Sequence, residues 1–499
     1  MGIRSKMFSR FGAAAILLLL ACLLVFAYGS QHTVPRGVIV SGWTLKGFSL
    51  TQLDLQLKNA MTLVQQQQVL FTCKGMGCEP SSLSKTDPFR QSYWNSTRIA
   101  LQDLGVQTNL IAITNSLHSM ENGTWIKRAW TRWRISGTTY NLMLSFNDTK
   151  LQEVIKQKWS AADSFKPVNA YRKVADDDSI QIFPEINAYR LNVGELQKRL
   201  MAQMPDAALP WLLHLKEGKP LALNVILPIV VKKPTVTALS LKAQGITRNI
   251  SQFTTTFATS AAGRIHNISA SSQTMQDQLL APGEIFDYSQ IIRQTEKIFG
   301  YQKAPVIYNG KLVPGIGGGI CQVSTTLYNA VLRAGLQIIE RRNHSLPVSY
   351  VPLGQDATYA TDYINFRFRN STEHYLLIRT SIVNNTLTVK LFGTMQKEKT
   401  YEITSNIVKR LQPTTKYLYN SSLGKNEQQT LKSGKIGYVV ETYRLQKLAG
   451  VLVQKELISK DTYPSQPTLV AVGERRRDKV KAEEPGLLED GVSGPNFGG

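Results

Sequence analysis

The chain has 499 residues, 42% apolar and 9% aromatic, and carries 58 Lys and Arg against 35 Asp and Glu. That length exceeds one compact core and implies about three or four domains, and the apolar share means that most of the chain folds. A net charge of +23 and a pI near 9.7 call for an anionic partner: nucleic acid, a lipid surface or an acidic polymer.

Residues 1–11 hold Arg4, Lys6 and Arg10 and no acid, and read as a cytoplasmic basic segment. Residues 12–28 are an uninterrupted apolar run, near the short limit for a membrane span. Basic residues before the run and none directly after it place the bulk of the chain outside the cell. The run is longer than a usual signal-peptide core and lacks a small-x-small exit. We therefore read it as an uncleaved, single-pass transmembrane signal anchor. Leu19-Leu20-Ala21-Cys22 resembles a lipoprotein cleavage box, so a lipoprotein at Cys22 is the alternative. Export removes nucleic acid as a partner and leaves an anionic wall polymer, such as teichoic acid, or lipid headgroups.

A first extracellular unit is expected over residues 31–160. It opens on the alternating GVIVSGWTL and the helix-spaced LTQLDLQLKNAMTLV. Cys73 and Cys78, in FTCKGMGCEP, suit a small disulfide loop in an oxidising compartment; free thiols in a turn are the alternative. The patch Trp125–Trp133, WIKRAWTRW, carries Lys127, Arg128 and Arg132. It reads either as a dock for sugars or an anionic polymer, or as a strand with its tryptophans in the core. A second unit spans 161–240, with the amphipathic YRLNVGELQKRLMAQM and the strand ALNVILPIVV. Gly47–Leu57 and Tyr189–Leu200 look alike, as two copies of one unit would.

Residues 241–396 are densest in turn and site signals and read as α+β with one main helix. That helix follows Gly317-Gly318-Gly319-Ile320-Cys321, with Val323, Leu327, Val331 and Ala334 on one apolar face. Cys321 thus sits at a helix start, where free N–H groups and the helix dipole favour an anion and ease thiol deprotonation. The three glycines let a substrate backbone come close. A cysteine that merely packs is the plainer alternative. His344 is the best base candidate, Asp356 an orienting acid and Asp362 a second acid. The N–H groups of Ile320 to Gln322 are the expected oxyanion site. Gln322, Ser324 and Thr325 either assist substrate binding or satisfy the first helical turn. Arg341 and Arg342 can pair with substrate carboxylates. No metal or cofactor motif is read. Residues 397–473 read as a β module, and 474–499, charged and Gly-rich, as a disordered tail.

PGEIFDYS, GGGICQVSTTLYNAVLRAG, ERRNHSLPVSYVPLGQDATY and DYINFRFRN, in this order, resemble the VanW domain of Gram-positive bacteria, a family named for its link to vancomycin resistance. The upstream units resemble, more loosely, the peptidoglycan-binding modules often fused ahead of it. The region after 397 resembles the five-glycine β module, with Gly424, Gly434, Gly437, Gly450 and Gly473 as its glycines. The resemblance implies work on peptidoglycan stem peptides. Some VanW domains act as cysteine L,D-transpeptidases, and Cys321 and His344 match the family's cysteine and histidine. The expectation is a multidomain, membrane-anchored α+β chain with a VanW-like catalytic domain and a C-terminal all-β module. Its activity would be a Cys-thioester transpeptidation forming peptide cross-links. A non-enzymatic wall-binding protein and a cysteine peptidase or amidase are the alternatives.

Overall fold

The computed structural model describes residues 3–74, 94, 96–204, 222–308, 310–474 and 488–492. The chain divides into two compact units. One comprises residues 1–169 and 185–235; the other comprises 170–184 and 236–499.

In the first unit, helix α1 (Ile3–Gly29) contains the stretch Gly12–Gly29, which is long and apolar enough to cross a membrane. Helix α2 (Leu50–Gln65) starts where Ser49 and Gln52 cap each other, side chain to backbone N–H in both directions. Its Leu50, Leu53, Leu57, Ala60 and Val64 are buried, as the spacing predicts. Strand β1 (Gln68–Thr72) is flanked by β2 (Thr97–Ala100), antiparallel, and by the distant β3 (Leu223–Ile226), parallel. Cys73, just after β1, is disulfide-bonded, whereas Cys22 and Cys321 are free. Cys78 lies outside the described residues.

The tryptophan-rich patch is not a strand. It is helix α3 (Trp125–Ile135), capped by the Thr124 hydroxyl on the Lys127 N–H. Trp130 and Trp133 are exposed, and Ala129 and Ile135 face the core. The Arg132 guanidinium is buried and donates to the Gln31 and Thr33 carbonyls at 2.8 and 2.7 Å. Further on, Asn192 caps helix α4 (Val193–Ala202), so both look-alike segments enter capped helices.

The second unit is built on an antiparallel sheet in the order β4 (Arg248–Thr256), β12 (Thr386–Gly393), β11 (Leu376–Val383), β5 (Gln278–Leu280). Helix α5 (Ala262–Met275) is followed by β6 (Ile285–Asp287) and helix α6 (Tyr288–Phe299). The hairpin β7 (Lys303–Tyr308) and β8 (Lys311–Ile316) then leads into helix α7 (Ile320–Arg333). Beyond α7, β9 (Gln337–Glu340) and β6 both pair with β10 (Arg367–Arg369). The mostly β C-terminal region holds the sheet β13 (Lys399–Leu411), β14 (Gly437–Leu448), β15 (Val451–Tyr463). A second three-stranded sheet there joins Thr415–Tyr419, Thr468–Val472 and Gln428–Lys432.

Helix α7 packs against β4, β12, α5 and β13, and is buried from Ile320 to Leu332. Its apolar stripe Val323, Leu327 and Val331 joins Leu387, Val389 and Leu391 in the core. Its polar stripe is equally buried and satisfied internally. Thr326 shares a hydrogen bond with Thr255 at 2.8 Å, and Asn329 donates to the Thr325 and Gln355 carbonyls. The helix start is sterically closed. A Cβ on Gly318 would stand 2.2 Å from the Pro305 carbonyl oxygen, and Gly319 has φ +108°. Gly318→Ala must push β7 away from the helix. It should lower stability by about 2 kcal/mol or more in chemical denaturation; an unchanged midpoint would show that this approach is not tight.

Candidate functional site

Cys321 occupies the first turn of α7 and is fully buried. Its thiol donates to the Tyr359 carbonyl at 3.4 Å, and its sulfur accepts the Tyr359 N–H at 3.0 Å. The free N–H groups of the helix start are taken by a carboxylate from far along the chain. Asp490 Oδ1 accepts from Gly319 N–H at 3.1 Å and from Cys321 N–H at 2.8 Å. The N–H groups of Ile320 and Gln322 turn instead to the Gly317 and Gly319 carbonyls. Of the N–H groups of Ile320 to Gln322, that of Cys321 therefore meets an anion, together with that of Gly319. The expectation of an easily ionised thiol is reversed: burial pushes the Cys321 pKa well up, and the Asp490 charge adds to it.

His344 and Asp356 form a buried pair. Asp356 Oδ2 accepts from His344 Nδ1 at 2.6 Å and from the His344 N–H at 2.7 Å. Asp356 Oδ1 accepts from the Tyr463 hydroxyl and from Arg341 at 3.3 Å. Burial pushes the Asp356 carboxyl up, but the His344 hydrogen bond, its charge and Arg341 outweigh it and hold the pKa at about 2. Burial pushes His344 down, and its bond to Asp356 reverses this, so the imidazole is raised above its ordinary 6.5. His344 Nε2 is buried without a hydrogen-bond partner among the described residues. The thiol and the imidazole are thus not hydrogen-bonded to each other. One short stretch holds both: Asp356 binds the imidazole and Tyr359, three residues on, binds the sulfur. Three residues of chain span roughly 11 Å at most.

The other sequence candidates fall into different places. Gln322 bonds Arg264, Thr255 and the Thr256 carbonyl, while Ser324 and Thr325 both bond the Ala357 carbonyl. These bonds tie the helix to its neighbours. Gly317, Gly318 and Gly319 form the turn into α7, as expected. Arg341 is not a substrate clamp: its buried guanidinium meets both Asp461 oxygens at 2.6 and 2.7 Å. Arg342 is exposed, and Asp362 lies in an exposed turn at φ +63°. Sequence reasoning missed Asp490, Glu489, Arg264 and Tyr359 at the thiol, and Asp461 and Tyr463 behind the imidazole. Tyr359 lay within GQDATY, beside the residues it did select. The others are far away in sequence.

Residues 263–392 match the family described as VanW like protein. The chain carries a VanW-like domain. Residues 397–475 match the G5 domain and 97–208 the "Putative peptidoglycan binding domain". The last stretch crosses residue 160, where composition suggested a boundary. The uncharacterized protein YoaR of Bacillus subtilis is 41% identical over 147 residues, 30% of this chain and 48% of that protein. The vancomycin B-type resistance protein VanW of Enterococcus faecalis is 28% identical over 150 residues, 29% of this chain and 54% of that protein. The chain spans about half the length of the curated relatives it matches. The solved G5 domain of an IgA1 protease aligns with 16% of this chain and 93% of its own at 22% identity, with a TM-score of 0.14. The domain content links the chain to the cell envelope and peptidoglycan.

The buried pair predicts a pH signature. Asp356 has a depressed pKa, so its stabilisation is complete above about pH 4 and is lost as pH falls through about 2. The loss is roughly 2 kcal/mol, at about 1.4 kcal/mol per pH unit. His344 has a raised pKa, so its stabilisation is present below about pH 6.5 and is lost as pH rises through the raised value. Asp356→Asn should flatten both limbs of a melting-temperature profile between pH 2 and 9. An unchanged acid limb would sink the assignment.

Proposed function

We propose that this protein is a membrane-anchored, outward-facing peptidoglycan L,D-transpeptidase that works through a Cys321 thioester. The carrying observation is the Asp356–Tyr359 stretch, which holds a buried, oriented imidazole at one end and a lone thiol at the other. Nε2, without a partner among the described residues, supports it, since a buried polar atom without a partner calls for a role. The apolar α1 and the basic residues before it support the anchor and its orientation. The preference for an L,D bond comes from the family resemblance.

In this reading His344 Nε2 takes the thiol proton, and the thiolate attacks a stem-peptide carbonyl. The C–S bond forms, and Gly319 and Cys321 N–H groups stabilise the oxyanion. The C–N bond then breaks, and the leaving amine takes the proton from His344. An amine of a second stem attacks the thioester and gives its proton to His344. A new amide results and the thiol is restored on reprotonation. Water in place of the amine gives peptidase or amidase action. Full burial of the thiol favours a second reading, in which Cys321 is core and the chain binds wall polymer without chemistry.

Purified muropeptides separate these readings. Wild-type protein should yield cross-linked dimers by mass spectrometry, and Cys321→Ala should lower the yield by about 10³-fold or more. Shortened stems without dimers would indicate hydrolysis. Equal dimer formation by Cys321→Ala, or none by either protein, would overturn the transpeptidase reading.

A further inference from the structure

Within the stretch read as a disordered tail, residues 488–492 are ordered against the Cys321 site. Leu488–Glu489 form strand β16, which pairs antiparallel with Tyr308 and Ile307 on the edge of β7. Asp490 N–H donates to the Tyr359 carbonyl at 3.3 Å, and Gly491 bridges to Ala360. Val492 N–H donates to the Ile316 carbonyl at 2.9 Å. The segment therefore lies between the β7–β8 hairpin on one side and Tyr359–Ala360 on the other, held by backbone bonds to both. Such edge-strand recognition reads the main chain of an extended peptide and accepts varied side chains.

Two carboxylates mark what the groove prefers. Asp490 takes the Gly319 and Cys321 N–H groups with Oδ1, and the Arg264 guanidinium at 3.2 Å with Oδ2. Glu489 Oε2 accepts the Ser345 N–H and hydroxyl at 3.0 and 3.1 Å, beside His344. Both carboxylates are buried. Two buried polar atoms have no hydrogen-bond partner among the described residues and feel the same charges: His344 Nε2 that of both carboxylates, and Tyr350 Oη that of Asp490. The fit is narrow at the centre: a Cβ on Gly491 would meet Val306 Cγ1 at 2.4 Å.

We propose that this groove is a binding site for an extended peptide bearing a carboxylate, that Gly319 N–H, Cys321 N–H and Arg264 form its carboxylate subsite, and that Leu488–Val492 fills it in cis as a tethered competitor. Only the identity of the natural ligand, an acidic wall stem peptide, rests on the function proposed above. Asp490 takes up the Cys321 N–H, and the charges of the segment oppose ionisation of the Cys321 thiol. Displacement must therefore precede any chemistry at Cys321.

The test uses the full chain and two variants. Asp490→Asn removes the charge; Gly491→Val drives the segment from Val306 without touching the proposed machinery. The probe is a fluorescein-labelled peptide of the sequence 486–494, followed by anisotropy. The second readout is iodoacetamide labelling at Cys321, located by peptide mapping to separate it from Cys22. Both variants should alkylate at Cys321 at least about tenfold faster than wild type. They should bind the probe at least about tenfold more tightly, since the site is no longer filled in cis. A probe with Asn in place of its Asp should lose that affinity. Melting curves report folding, and Gly491→Val decides if Asp490→Asn melts early. Alkylation and probe affinity equal to wild type in a folded variant would overturn the proposal. Neither readout needs turnover. Failure of cross-linking with intact probe displacement sinks only the enzyme reading, and intact cross-linking with unaltered labelling sinks only the tethered competitor.

Discussion

The second unit is organised around one buried carboxylate. Asp356 accepts from the His344 backbone and ring on one oxygen and from Tyr463 and Arg341 on the other. A buried charge is tolerated only when it is paired and its lone pairs are filled. Here the donors come from two places in the chain: the loop after β9, which holds His344 and Arg341, and the end of β15, which holds Tyr463; Arg341 is itself fixed by Asp461. The G5 domain is therefore not a bead hung after the VanW-like domain. Its last long strand supplies the hydroxyl and carboxylate that brace the imidazole from behind. With Nδ1 committed to Asp356, Nε2 is the ring nitrogen left for other work.

Two opposed effects act on Cys321, and their sizes decide which wins. A helix start favours an anion by about 0.3–1 kcal/mol at the surface and up to about 2 when partly buried. Full burial of an ionisable group shifts its pKa by up to about 3–5 units, some 4–7 kcal/mol. Burial prevails, and the thiol stays protonated against the Tyr359 carbonyl. The helix start still obtains its anion, from Asp490 instead of the thiolate.

Much of this was legible in the sequence. The α+β character, the helix after the glycine turn and the β region beyond it follow from local pattern, whereas pattern alone leaves Asp356 and Asp362 as alternative partners for His344. What escaped did so for physical reasons. Periodicity reports polarity, not water: Gln322, Ser324, Thr325, Thr326 and Asn329 form a polar stripe that faces protein. The tryptophan patch alternates ambiguously, and only the Thr124 cap and the burial of Ala129, Arg132 and Ile135 resolve it as a helix. Residues 488–492 are held by backbone bonds, which leave little mark on composition, and by two carboxylates whose partners are far away in sequence.

That occupant also bears on which ligands can take its place. The Gly319 and Cys321 N–H groups now meet a full carboxylate backed by Arg264. A neutral peptide carbonyl offers them a weaker acceptor than a carboxylate does. A ligand relying on that carbonyl alone would trade a charge-assisted contact for an ordinary one and leave Arg264 without its ion-pair partner. Exchange becomes favourable when the incoming peptide brings a carboxylate of its own to Arg264, together with enough extended backbone to replace the bonds along β7, Tyr359 and Ile316. A charge requirement remote from the reacting bond would then select ligands before any chemistry, and it follows from the same helix start that first drew attention to the thiol.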